Sequence, residues 1–480
     1  MAGSTASRWD ASTRSVLFPS LGFYGAKNVD RLEVALPAGT VAVRLELPQR
    51  RAEILPLKLV ELAKGTRALR VPASAVDASV SSFGKGAQDA AAPLVAGTPL
   101  STAREHGPWW QVTLLQPLGA TSLRLYNRRD ALGRRTRALV VKVRTAESDD
   151  WQVAWSARRD DLPRVVELVE RLTGVSLSPP RFLHARWARR ARAQVLARLL
   201  AAAQGDGLGT ADRDELRLLL ALVPSRVRDG VPPLDRPAAQ LLAALLAAQR
   251  HAVPGTATSI RSFGDVLPDR AALRRLGDDL DRFGAAVGLP PQMITRHGVG
   301  ELGKLRTDSA GHLDLVARLE DVFAELGHPL VMAYGTLLGA VREGDFLARD
   351  DDVDMLFRLD AADAGEAKPL LTDLKARLRE RGFGIWTNPT GLNFHVVDPA
   401  TRRHVDVFPY LVEGATATLH MTSMRLETMD LDVLEPHGRR ELLGRSVPVP
   451  HLPERFLEER YGPGWGVEDP FHDWTWPLSS

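Results

Sequence analysis

Asp352 and Asp354 alternate in the run Arg349-Asp350-Asp351-Asp352-Val353-Asp354-Met355, and the small-residue stretch Tyr334-Gly335-Thr336-Leu337-Leu338-Gly339-Ala340-Val341-Arg342 stands just before them. On a strand, carboxylates two residues apart project to one face and can converge on one ion, while Val353 and Met355 turn into a core. Such a pair suits a hard divalent cation, Mg²⁺ or Mn²⁺, with coordination positions left for phosphate oxygens. Gly335 and Thr336, at a strand-to-helix turn, can offer backbone N–H groups to an anion, and Gly339 leaves room for close approach. Arg342, within two helical turns of that loop, can pair with a phosphate. A third carboxylate is expected from a neighbouring strand: Asp406, in His404-Val405-Asp406-Val407-Phe408, faces away from the two valines flanking it. Asp352, Asp354 and Asp406 are therefore the expected metal ligands, with Asp406 a general base, a ligand to a second metal, or both. These groups together describe phosphoryl-type transfer from a nucleotide donor.

Other polar residues have plainer readings. His395, His404 and His420 fall on expected strands, where a lone histidine is more often packed or exposed than catalytic. Trp465, Trp474 and Trp476 suit anchoring of the C-terminal tail better than stacking on a sugar or cytosine ring. Arg402 and Arg403 fit a solvated turn at least as well as an anion contact.

The elements that position the acidic residues follow from hydrophobic periodicity. His312 to Leu326 reads as a helix with Gly327 as its C-terminal cap, and Pro329 to Ala333 as a short buried strand leading into Gly335-Thr336. Earlier in the chain, Arg31–Leu36, Val41–Leu47, Trp110–Leu115, Ala138–Arg144 and Trp151–Trp155 read as short strands separated by turn residues, the pattern of a β-sandwich. From about Leu162 to Ala286 the period becomes helical, with Leu183, Trp187, Leu196, Leu199 and Leu200 recurring at near-helical spacing. A further helix is expected to start at Asp235-Arg236-Pro237 and to end before Pro254. Pro290-Pro291 and the Gly-rich stretch His297–Gly303 mark a boundary. The expected fold class is thus multidomain α+β: an N-terminal β-sandwich (1–158), a middle α-helical domain (159–290) and a C-terminal nucleotidyltransferase-like α/β domain (291–480).

Two resemblances sharpen this outline. Leu123-Arg124-Leu125-Tyr126-Asn127-Arg128, with the strand after it, resembles the centre of galactose-binding-like sandwiches of the discoidin or fucolectin type, in which an Asn-Arg turn joins two strands. That resemblance leaves carbohydrate binding and a mere turn brace at Asn127 and Arg128 about equally open. The Gly-Thr turn, the Asp350–Asp354 run, Asp406 before Val-Phe, and a closing Pro453–Trp465 segment together resemble the LicD and fukutin-related group of the nucleotidyltransferase-fold superfamily. The similarity spans roughly residues 305 to 466. It implies transfer of a phospho-alcohol, such as phosphocholine or ribitol phosphate, from a CDP-activated donor to a sugar hydroxyl of a glycan or lipid-linked acceptor. In that reading Asp352 and Asp354 bind metal, Asp406 completes the carboxylate set, and Gly335 and Thr336 hold phosphate. The chain departs from the family at Ala348-Arg349, where Pro-Trp is usual, which bears on the substrate more than on the chemistry.

Composition narrows the function classes. A chain of 480 residues with 62 Lys and Arg against 59 Asp and Glu has a formal charge of +3, which gives no ground for bulk nucleic-acid binding. The absence of cysteine excludes disulfides, thiolate catalysis and cysteine-ligated zinc. The N-terminus lacks the apolar core of a secretory signal, so a cytoplasmic location is expected. Arg186, Arg189, Arg190, Arg192 and Arg198 form a basic helix that suits a solvated face or a peripheral contact with the inner face of the membrane. Two alternatives stand beside phospho-alcohol transfer: transfer of NMP from an NTP, and glycan binding without catalysis.

Overall fold

The structure, a computed structural model, describes residues 9–22, 31–48, 52–86, 88–128, 131–180, 184–205, 208–224, 234–252, 267, 269–295, 298–387, 392–421 and 425–469. Leu183, His297, Trp474 and Trp476 lie outside the described residues. The chain divides into two compact units, Met1–Gly300 and Glu301–Trp474.

In the first unit, strands Arg31–Ala35, Ser122–Tyr126, Leu59–Lys64 and Arg67–Ala68 form one sheet in that order. A second sheet runs Ser148–Ser156, Val140–Thr145, Thr40–Glu46, Trp109–Leu114 and Val76–Val80. Alternate residues of both sheets, among them Val34, Leu45, Leu62, Trp110, Leu123 and Val141, are buried in one core, the arrangement of a sandwich. Asn127 is buried: its Nδ2 donates to the Gly133 carbonyl at 3.0 Å and its Oδ1 accepts from the Arg128 N–H at 2.8 Å, so it braces the turn. Helices Leu162–Thr173, His184–Gln204, Arg213–Leu219, Arg236–Ala252 and Arg270–Ala286 follow. Asp235 Oδ1 accepts the Ala238 N–H at 2.9 Å at the expected start of the fourth. In the basic helix Arg186, Arg189, Arg190 and Arg198 are exposed. Arg192 differs, turning inward to donate to the carbonyl of Leu222 at 2.8 Å.

The second unit is built on a mixed sheet of seven strands: β1 (Leu330–Met332), β2 (Asp354–Leu359), β3 (Gly384–Thr387), β4 (Phe394–Val397), β5 (His404–Glu413), β6 (Thr416–His420) and β7 (Leu426–Asp430). The order is β1-β2-β5-β4-β3, and β6 pairs with the far end of the long β5 and with β7. Only β2 and β5 run parallel; the other pairs are antiparallel. Met355, Leu356 and Phe357 on β2 are all fully buried, the continuous apolar run expected of a strand covered on both faces. Helix α1 (Ser309–Glu325) contributes Leu313, Val316, Leu319 and Phe323 at helical spacing to this core. Gly327 follows with a φ of 84°, the left-handed turn that glycine adopts at a helix end. Helices α2 (Tyr334–Arg342), α3 (Ala364–Glu380) and α4 (Pro453–Tyr461), a short helix at Lys304–Thr307 and a hairpin of Gly438–Leu442 with Arg445–Val449 belong to the same unit.

Candidate active site

The site forms where β1 ends, α2 begins and β2 starts. Ala333 donates its N–H to the Asp354 carbonyl at 3.1 Å, and Asp406 donates its N–H to the Val353 carbonyl at 2.8 Å. Asp354 and Asp406 are register partners on the parallel pair β2 and β5, so their side chains lie side by side on one face. Asp352 precedes β2 and sits on the loop, a difference from the expected strand placement. The loop, rather than strand alternation, delivers its carboxylate. Carboxylate oxygens of Asp352, Asp354 and Asp406 all lie within 4.8 Å of one another.

The surroundings of these carboxylates would suit a bound cation. Burial, then repulsion from Asp352, Asp350 and Asp406, holds the Asp354 carboxyl well above the ordinary range, with Arg460 opposing the shift. Burial pushes Asp406 up to about 7, against the pull of Asn393, whose Nδ2 donates to both Asp406 oxygens at 3.2 Å. Carboxylates crowded together out of water favour protonation unless a cation neutralises them. Oxygen-only donors of this number and spacing fit Mg²⁺ or Mn²⁺.

Gly335 and Thr336 occupy the first turn of α2, where backbone N–H groups have no acceptor within the helix. Thr336 is fully buried, and its Oγ1 accepts the Asp354 N–H at 2.9 Å, tying the helix start to the acidic strand. Gly335 is required by its neighbour: a Cβ there would lie 2.4 Å from Asp350 Oδ2. That oxygen is buried and makes no hydrogen bond among the described residues. Burial and the adjacent Asp352 hold the Asp350 carboxyl well above the ordinary range. Asp350 thus packs against the glycine turn and shapes the loop. Tyr334, at the head of α2, has a left-handed φ of 46°. Its hydroxyl donates to the His420 carbonyl at 2.6 Å, and its ring meets Phe408 edge-on at 5.1 Å.

One sequence expectation is corrected. Gly339 does not open space for a ligand: a Cβ there would lie 2.5 Å from the Asp345 carbonyl oxygen, so its bareness lets the 345–347 backbone lie against α2. Arg342 ends α2, roughly 10 Å along the axis from Gly335 at 1.5 Å per residue, and donates to Glu343 at 2.8 Å. Arg403 pairs with Asp308 at 2.5 and 2.9 Å, and Arg349 is exposed. Trp465 is half-buried against the core, the anchoring role.

Sequence reasoning missed Arg460 and Asn393. Arg460, on α4, places its guanidinium 5.4 Å from the Tyr334 ring centroid and 5.1 Å from that of Tyr461. Its buried Nε makes no hydrogen bond among the described residues. Its one sequence signal is a place in the closing segment that resembles the family's. Asn393, three residues after an unremarkable Thr390, carries no local signal at all.

Residues 327–451 match the family described as LicD/FKTN/FKRP, nucleotidyltransferase domain. A stretch of 141 residues is 29% identical to the ribitol 5-phosphate transferase FKRP of Mus musculus and, equally, to that of Homo sapiens. The match covers 28% of this chain and 28% of each relative, so the chain spans under a third of their length. With its acidic strand pair and glycine turn in place, the C-terminal part of this chain, residues 327–451, belongs to the LicD/FKTN/FKRP family of nucleotidyltransferase domains.

Proposed function

We propose that the C-terminal unit transfers a phospho-alcohol from a CDP-activated donor to a sugar hydroxyl of a glycan or lipid-linked acceptor. The observation that carries this reading is the convergence of Asp352, Asp354 and Asp406 beneath the first turn of α2, within a domain related to ribitol 5-phosphate transferases. Mg²⁺ or Mn²⁺, held by Asp352, Asp354 and Asp406, would supply neutralisation of the donor's phosphate charge. The backbone N–H groups of Gly335 and Thr336 and the guanidinium of Arg460 bind the remaining phosphate oxygens. Asp406 orients the acceptor hydroxyl and takes its proton. A bond forms from that oxygen to the β-phosphorus, the phosphate carrying the alcohol. The bond from that phosphorus to the bridging oxygen breaks, and CMP leaves with the electron pair.

Incubation with an acceptor glycan extract, a divalent metal and CDP-ribitol, CDP-glycerol, CDP-choline or NTPs tests the proposal. CMP released from one CDP-alcohol, and absent with Asp352→Asn, is the expected result. Pyrophosphate from an NTP would instead mark a nucleotidyltransferase, and sugar binding without turnover a glycan-binding protein.

A further inference from the structure

A row of side chains crosses the sheet to the carboxylates. Trp386 on β3 is the register partner of His395 on β4, and His395 is the partner of Asp406 on β5. Directly opposed residues share a sheet face. Exposure falls along the row, from 45% for Trp386 to 32% for the His395 side chain and 6% for Asp406. His404, two residues before Asp406 and so on the same face, closes a corner: its ring centroid lies 5.4 Å from Trp386 and 5.5 Å from His395. His395 Nδ1 is 3.6 Å from Asp406 Oδ1. The core does not need Trp386; its neighbour Ile385 makes that contact instead.

We infer that this row is the acceptor subsite: Trp386 stacks one face of an acceptor sugar ring, and His395 and His404 hydrogen-bond its hydroxyls. This rests on the transfer reaction proposed above. A sugar ring offers an apolar C–H face and a rim of hydroxyls, matching an indole plane edged by imidazole nitrogens. Trp386 stands two strand spacings, roughly 10 Å, from Asp406, so a ring stacked there presents its next hydroxyl to the carboxylate. The anion-binding groups lie on the other side of Asp406, where α2 begins and where Arg460 acts on Asp354. The two reactants thus approach the carboxylates from opposite sides, as displacement at phosphorus requires.

Saturation-transfer NMR on the full chain without donor, with methyl glycosides of galactose, glucose, mannose and N-acetylglucosamine and with cytidine, tests the subsite. Ring-proton signals from at least one glycoside are expected, falling about tenfold in affinity with Trp386→Ala and less with Trp386→Phe, while circular dichroism shows both variants folded. No glycoside signal, a signal that Trp386→Ala leaves intact, or loss of a cytidine signal instead would overturn it. In the transfer assay Trp386→Ala raises the acceptor KM and spares the donor KM. If no protein releases CMP, the transfer reading fails, and the NMR result still decides whether the row binds sugar.

Discussion

Asp406 carries a pH signature that can be read without turnover. Its folded-state pKa of about 7 lies above the ordinary 3.8, so folding favours the protonated form. That contribution is fully present below about pH 4 and lost as pH rises through about 7. Asp354 and Asp350 are shifted in the same direction. In chelator-treated protein the denaturation temperature should therefore fall from about pH 5 to about pH 8, and Mg²⁺ or Mn²⁺ should raise it more at the upper end. Scanning calorimetry with Asp406→Asn should show both slopes flattened; an unchanged metal response in that variant would count against the ligand role. Gly335 makes a second prediction at this scale. Because its missing Cβ is the space that Asp350 Oδ2 occupies, Gly335→Ala should cost about 1–3 kcal/mol by overpacking. Adding Asp350→Ala should recover part of that, a non-additivity that urea denaturation can measure.

At the scale of elements, a part-buried hydrogen bond, Asp354 N–H to Thr336 Oγ1, ties α2 to β2. Thr336→Val should cost about 1–3 kcal/mol by leaving that N–H unpaired and should weaken metal binding, whereas Thr336→Ser should keep most of both. Isothermal titration with Mn²⁺ separates the variants, and equal affinities would show that the bond does not position Asp354. Much of this junction was legible in the sequence: β1, the Gly-Thr turn, α1 with its Gly327 cap, and Asp406 between valines all follow from period and turn chemistry. The loop placement of Asp352 was not, because alternation alone cannot say where a strand begins. Nor was the row from Trp386 to Asp406. Strand register is a property of three segments pairing at once, and His395 read alone is an ordinary strand histidine. Arg460 was hidden by its neighbours Glu458 and Glu459, which make it look like one more charge on a solvated helix.

Across the whole molecule, each unit holds its own core, and the first is tied by ions as well as by apolar packing. Arg217 and Asp161 are both almost fully buried and paired at 2.8 and 3.1 Å. Removing one partner strands a buried charge, so Arg217→Ala should cost about 3–5 kcal/mol, measured by denaturant unfolding. The metal response of the acidic cluster should persist, since the pair belongs to the other unit. Five strands of the two sheets were legible in the sequence from their alternation; Leu59–Lys64, Arg67–Ala68 and Val76–Val80, in the same sheets, are too short or alternate too weakly to stand out. No helix among the described residues is long and apolar enough to cross a membrane.

Phosphorus NMR of one reaction tests the central claim most directly: the protein with Mg²⁺, CDP-ribitol and an acceptor glycan extract, beside Asp352→Asn. The account predicts that the donor's diphosphate resonances give way to CMP and a phosphodiester with the active protein alone. A spectrum that stays unchanged for CDP-ribitol and every other CDP-alcohol, or that changes equally with Asp352→Asn, would contradict it.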